Sequence, residues 1–169
     1  MLLDQGVIYQ ADAGWAVRAD WVQAVQKVPD TVNGLVLSRY DRLPPHLRRL
    51  LDVAAVFRRS FSLPELEAMT QVSEPELREH LAELEQADFF RRTSSMRLPL
   101  YSFRHPLMRE AIYETILQAE RRALHIEAAN VIRHITSGYS QEAVELIAYH
   151  LELGKSPLAN TYLMQAATR

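Results

Sequence analysis

A chain of 169 residues, 48% hydrophobic and 24% charged, can bury a core as one domain or two small ones without a disulfide or metal staple. It has no cysteine, which excludes thiolate catalysis, disulfides and cysteine-based zinc sites. A formal net charge of −2 predicts no strong attraction to nucleic acid or to an anionic membrane.

The opening run "MLLDQGVIYQ" has no basic leader and no sustained apolar stretch, so it reads as neither a signal peptide nor a membrane span, and a cytoplasmic location is expected. Met1 to Gly6 looks like the last turn of a helix with its glycine cap but with no helix before it, which predicts an excised piece of a longer protein. Val7 to Gln10 and Trp15 to Arg18 read as short strands joined by the turn Ala11-Asp12-Ala13-Gly14. A linker then runs to Val28-Pro29. This hairpin and linker form a first segment, residues 1–26.

Residues 27–104 form a second unit. Asp30 can cap a helix carrying Val32, Leu35, Val36, Tyr40 and Leu43 at helical spacing. Pro44-Pro45 ends it and opens another, with Leu47, Leu50, Leu51, Ala54 and Ala55 as its stripe and Arg48 and Arg49 outside. Ser62 has Glu65 three places on, and Ser73 has Glu76; both pairs read as capping boxes. They predict a short helix over 62–70 and a longer one over 73–86, with Leu77, Leu81 and Leu84 buried. Asp88 sits where a helix commonly ends in a left-handed residue. Phe89 to Thr93 and Leu100 to Arg104 then read as a hairpin around the loop 94–99. Three helices followed by a hairpin is the order of a winged helix-turn-helix.

Residues 105–169 read as helical throughout. Leu107, Met108, Ala111, Ile112 and Ile116 line one helix; Leu124, Ala128, Val131, Ile132 and Ile135 line the next; Gly138 breaks the chain. Val144, Ile147, Ala148 and Leu151 line a third helix, and Ala159, Tyr162, Leu163 and Ala166 a fourth. The tight link Gly154 to Pro157 makes these two an antiparallel pair, the unit of a helical repeat. The fold class expected is therefore mainly α, a winged helix with short β-hairpins followed by a tetratricopeptide-like bundle.

No phosphate-binding glycine loop is present, and the chain has only five glycines. The six histidines (46, 80, 105, 125, 134, 150) show no i,i+4 pairing and no carboxylate at metal spacing, so no metal site is expected. No nucleophile–base arrangement stands out, so the chain reads as a non-enzyme. The second helix of the helix-turn-helix, "EPELREHLAELEQ", carries five glutamates against one arginine, Arg78. Such a face repels a phosphate backbone, so no DNA-binding residues are assigned. Four arginine doublets (48–49, 58–59, 91–92, 121–122) are the opposing signal.

The stretches "VPDTVNGLVLSRYDRLPPHLRRLLDVAAVF", "SFRHPLMREAIYETI" and "LIAYHLELGKSPLANTYLMQAA" resemble the region after the ATPase core in signalling ATPases of the STAND class, including bacterial predicted ATPases fused to adenylate/guanylate cyclase or regulator domains. The resemblance covers about Leu2 to Ala167 and implies the order ATPase core, winged helix, tetratricopeptide-like repeats. It implies a regulatory fragment coupling the nucleotide state of an ATPase core on the same polypeptide to an output domain. A protein partner or inducer would bind the repeats. A DNA-binding regulator and a plain repeat scaffold are the alternatives. ATP or ADP with Mg is implied for the parent protein, and no cofactor for this chain.

Relatives carry a histidine at the end of the winged helix, in a pattern like M-H-D-L-x-R-D, which reaches the phosphates of bound ADP. "RHPLMRE" places His105 at that histidine, with Arg104 adding charge, while Pro106 replaces the usual aspartate. Two further departures are Arg58 and Asp88, where relatives often have glycine. In the alternative, His105 only caps its helix or packs behind Tyr101 and Phe103.

Overall fold

The computed structural model describes residues 8–11, 14–17, 30–58, 60–93, 99–136 and 140–167. Among them the chain is mainly helical, with eight helices, a separate two-stranded hairpin and a small three-stranded antiparallel sheet. The expected features at 1–7, 12–13, 18–29, 94–98 and Gly138 lie outside the described residues, as does the side chain of Val32.

The hairpin pairs β1 (Ile8–Ala11) with β2 (Gly14–Val17) in the register Ile8↔Val17 to Ala11↔Gly14. Two helices follow, α1 (Asp30–Asp41) and α2 (Pro45–Ala55). Proline suits the start of α2 because the first helical N–H needs no partner. The stripe Leu47, Leu50, Leu51, Ala54 and Ala55 is buried as its spacing predicts. Among the described side chains of α1 only Val36 is buried, and Leu35 is 64% exposed. That helix packs mainly on α5 (Pro106–Thr115), and its Tyr40 hydroxyl also donates to Asp52 of α2 at 2.8 Å.

A strand that spacing did not reveal comes next: β3, Phe61–Ser62, which runs directly into α3, Leu63–Thr70. Glu65 accepts from the backbone N–H of Ser62 at 2.6 Å and from its hydroxyl at 2.7 Å, so the first capping pair forms at the predicted place. Gln71 ends α3 in the left-handed region, φ 57°. The second pair does not form its box. Ser73 precedes α4, Glu74–Gln86, but its side chain makes no cap bond. Leu77, Leu81 and Leu84 are fully buried, each contributing about 2 kcal/mol. Asp88 has φ 57°, the left-handed conformation predicted for it.

The strands β4 (Phe90–Thr93) and β5 (Leu100–Phe103) pair in the register Phe90↔Phe103 to Thr93↔Leu100. Strand β3 adds to the other edge of β5, Phe61 opposite Tyr101, giving the order β3-β5-β4. Phe61 lies edge-on to Phe90 at 5.1 Å, and Phe90 edge-on to Phe103 at 4.9 Å, so one aromatic row crosses the sheet.

Beyond α5 lie α6 (Gln118–Ile135), α7 (Gln141–Leu153) and α8 (Ala159–Ala167). Met108, Ala111, Ile112 and Ile116 are buried, whereas Leu107 is 51% exposed at the open first turn of α5. Gln141 Nε2 donates to the Ala166 carbonyl at 2.8 Å, so the start of α7 meets the end of α8 and the pair is antiparallel. Val144, Ile147, Ala148 and Leu151 are buried in α7; Leu163 of α8 is exposed. Helix α3 packs on α6, and one buried cluster runs from Val36 through Leu77, Phe90 and Ile112 to Ile147 and Ala159. The core is therefore continuous across the boundary expected between 104 and 105.

Candidate functional site

His105 is the last residue before α5, extended at φ −133° and ψ 136°. Its carbonyl accepts from Met108 N at 3.0 Å, and this bond together with Pro106 starts the helix. The side chain makes no cap hydrogen bond and is exposed. It does not cap its helix through the side chain, and Tyr101 and Phe103 are buried. Arg104 sits beside it. The Arg104 N–H donates to the Phe89 carbonyl at 2.8 Å, anchoring the chain between sheet and helix. Its guanidinium lies 3.8 Å from Asp88 Oδ1, with both side chains more than half exposed. An imidazole, a guanidinium and a helix N-terminus are donors that fit a phosphate. One carboxylate, Asp88, partly offsets the guanidinium. Among the described residues no group of three or more His, Cys, Asp or Glu side chains could hold a metal ion.

A second constellation joins three helices. Tyr113 Oη of α5 lies 2.9 Å from His125 Nε2 of α6, and His125 Nδ1 lies 2.9 Å from His150 Nδ1 of α7. Both histidines are 1% exposed. Burial, with Arg109 and Arg121 nearby, lowers His125 to about 4; burial and the neighbouring His125 lower His150 to about 3. Both rings are therefore neutral at pH 7. Two facing Nδ1 atoms require one to donate and the other to accept, which fixes opposite tautomers and passes the polarity through to Tyr113. Two guanidiniums flank the tyrosine ring, Arg121 at 5.0 Å and Arg109 at 5.3 Å. Arg109 is itself held by the Ala55 carbonyl at 2.8 Å.

Sequence reading passed over this pair because 25 positions separate the two histidines. The available signal was that each occupies an apolar stripe, His125 beside Leu124 and Ala128, His150 beside Ile147 and Leu151. A polar residue at such a position needs a buried partner.

The far side of His150 lines a cleft of about 330 Å³ between the end of α2, α3, α6 and α7. Phe57 and Tyr149 supply aromatic walls, and Phe57 meets the His150 ring edge-on at 5.7 Å. Glu65, Glu142 and Glu145 bring three carboxylates to the lining, against the Arg58 guanidinium, which lies 5.9 Å from the Tyr149 ring centre.

Together these features define a mainly helical chain with a three-stranded antiparallel sheet, one exposed His–Arg corner and one buried His–His junction. No family model matches the chain, and no curated protein matches it significantly. No described helix is long and apolar enough to cross a membrane.

Proposed function

We propose that the chain is a non-catalytic regulatory part of a STAND-type signalling ATPase, a winged helix leading into tetratricopeptide-like repeats. Its task is to couple the nucleotide state of an ATPase core on the same polypeptide to an output domain and a cytoplasmic protein partner. The topology supports this reading: α2, α3 and α4 are followed by the β4–β5 hairpin, and β3, between α2 and α3, pairs with β5. The observation that carries it is His105, exposed, without a cap bond, and backed by Arg104 at the mouth of α5.

The exposed ring is spent neither on packing nor on a cap bond, so it is available to an anion brought to the mouth of α5. His105 and Arg104 would hold the terminal phosphates of ADP supplied by the core. The base, the ribose and the Mg ion would be held by that core, since nothing in this chain offers a glycine loop. Loss of the phosphate contact would free the unit to move between two docked positions.

The DNA-binding alternative is disfavoured by α4. Glu74, Glu76, Glu79 and Glu83 are exposed along it, and its one arginine, Arg78, is paired with Glu74 at 2.5 Å. A duplex-binding titration checks this point, and salt-sensitive binding would reverse it. The reading also requires that the reading frame upstream of Met1 encode a phosphate-binding glycine loop, and its absence there would contradict the proposal.

A further inference from the structure

The end of the Tyr113–His125–His150 chain has a consequence separate from the nucleotide switch. His150 Nδ1 faces His125, but its Nε2 makes no hydrogen bond among the described residues. The residue is 1% exposed and belongs to the lining of the cleft. With Nδ1 turned to His125, Nε2 is the ring nitrogen left for the cleft that His150 lines. We propose that this cleft binds an organic ammonium ion, which donates to His150 Nε2 while Glu142 and Glu145 balance its charge and Phe57 and Tyr149 enclose its carbon skeleton.

The donor–acceptor count favours a cation. Among the described residues the lining carries three carboxylates, of which Glu65 is already held by Ser62, against one guanidinium. Glu145 takes one bond from Gln141 Nε2 at 3.1 Å and keeps further lone pairs; Glu142 is exposed. Aromatic faces attract ammonium groups, and Arg58 already lies over the Tyr149 ring as a cation supplied by the chain itself. An anion would be repelled by the carboxylates, and a neutral molecule would gain nothing from their charge.

Binding selects one tautomer throughout the chain. When the ligand donates to Nε2, His150 holds its proton on Nδ1 and donates to His125 Nδ1. His125 then holds its proton on Nε2 and donates to Tyr113 Oη. The ligand would thus be felt at Tyr113 on α5, the helix that begins at His105.

The test compares three probes of similar size: 2-phenylethylamine, 2-phenylethanol and 3-phenylpropionate. Imidazole ¹⁵N and tyrosine ring NMR shifts are followed during each titration. The amine is expected to bind in preference to both others, to make His150 Nε2 an acceptor and to shift the Tyr113 ring. Glu142→Gln and Glu145→Gln, both away from the core, should each weaken it by about three- to five-fold, and Arg58→Ala should strengthen it by about the same factor. A lysine side-chain mimic, Nα-acetyl-lysine methylamide, separates sources. Tighter binding than phenylethylamine assigns a peptide lysine, weaker binding a free amine. Equal binding of all three probes, preference for the anion, or amine binding indifferent to both glutamates and silent at His150 would overturn the proposal.

Discussion

His125 Nδ1 and His150 Nδ1 stand 2.9 Å apart, each residue 1% exposed, and they tie α6 to α7 through a bond that needs one Nδ1 protonated and the other bare. Helix α6 also packs on α3, so the bond fastens the paired helices to the unit that carries the sheet. The consequences for stability follow from the protonation of that pair.

Unfolded histidines titrate near 6.5, whereas folding lowers His125 to about 4 and His150 to about 3. Between those values the unfolded chain binds more protons, so stability rises with pH across the window and is lost as pH falls below about 6.5. Each histidine contributes a loss of about 1.4 kcal/mol per pH unit until its folded value is reached. Thermal melts from pH 8 to pH 4 should show no pH-dependence from this pair above about pH 7 and a steep decline below pH 6. A melting temperature that does not fall with acid would mean that the rings are solvated.

Tyr113→Phe removes the hydroxyl from His125 Nε2 and leaves that nitrogen without its partner. Urea unfolding should report a loss of about 1–3 kcal/mol, with the aromatic contacts retained. A loss below about 0.5 kcal/mol would show that water replaces the hydroxyl and that the junction is wetter than its burial implies.

Gly154, which caps the C-terminal end of α7, lies close against α6. A Cβ there would stand 2.6 Å from Ile126 Cγ1 and 3.3 Å from the Arg122 carbonyl. Gly154→Ala is expected to cost about 1–3 kcal/mol, because the helices must part. Ile126→Ala should recover part of that cost, since the nearest obstruction is its side chain. Additive losses in the double variant would place the strain in the backbone instead.

Asp88 holds φ 57° at the end of α4, a conformation glycine adopts without a Cβ penalty. Asp88→Gly should therefore be neutral or stabilising by up to about 1 kcal/mol in urea unfolding, since the exposed Arg104 contact it gives up is worth little. It also leaves Arg104 without its carboxylate, so phosphate binding at that corner should strengthen. A clear loss of stability would mean that the ion pair, and not the backbone, fixes the helix end.

Much of this architecture could be read from residue types alone. Ser62 and Glu65, the leucines of α4, and Asp88 each act locally, and their neighbours in sequence are their neighbours in space. Strand β3 was invisible because two residues, Phe61 and Ser62, carry no period. Leu35 and Leu107 have helical spacing but nothing packed over them, and spacing says which face is apolar without saying whether it is covered. The candidate site divides in the same way. His105 could be placed by its proline and the helix after it, whereas His125 and His150 meet only because α6 and α7 pack.

His105→Ala in the full-length polypeptide is the direct test of the switch. The ring is exposed and caps nothing, so unfolding of this chain should change by less than about 0.5 kcal/mol. The rate at which ADP leaves the parent protein is the quantity to measure. The switch predicts release faster by about ten-fold or more, for loss of a charge-assisted phosphate contact. Release at the unaltered rate, with the fold intact, would contradict it.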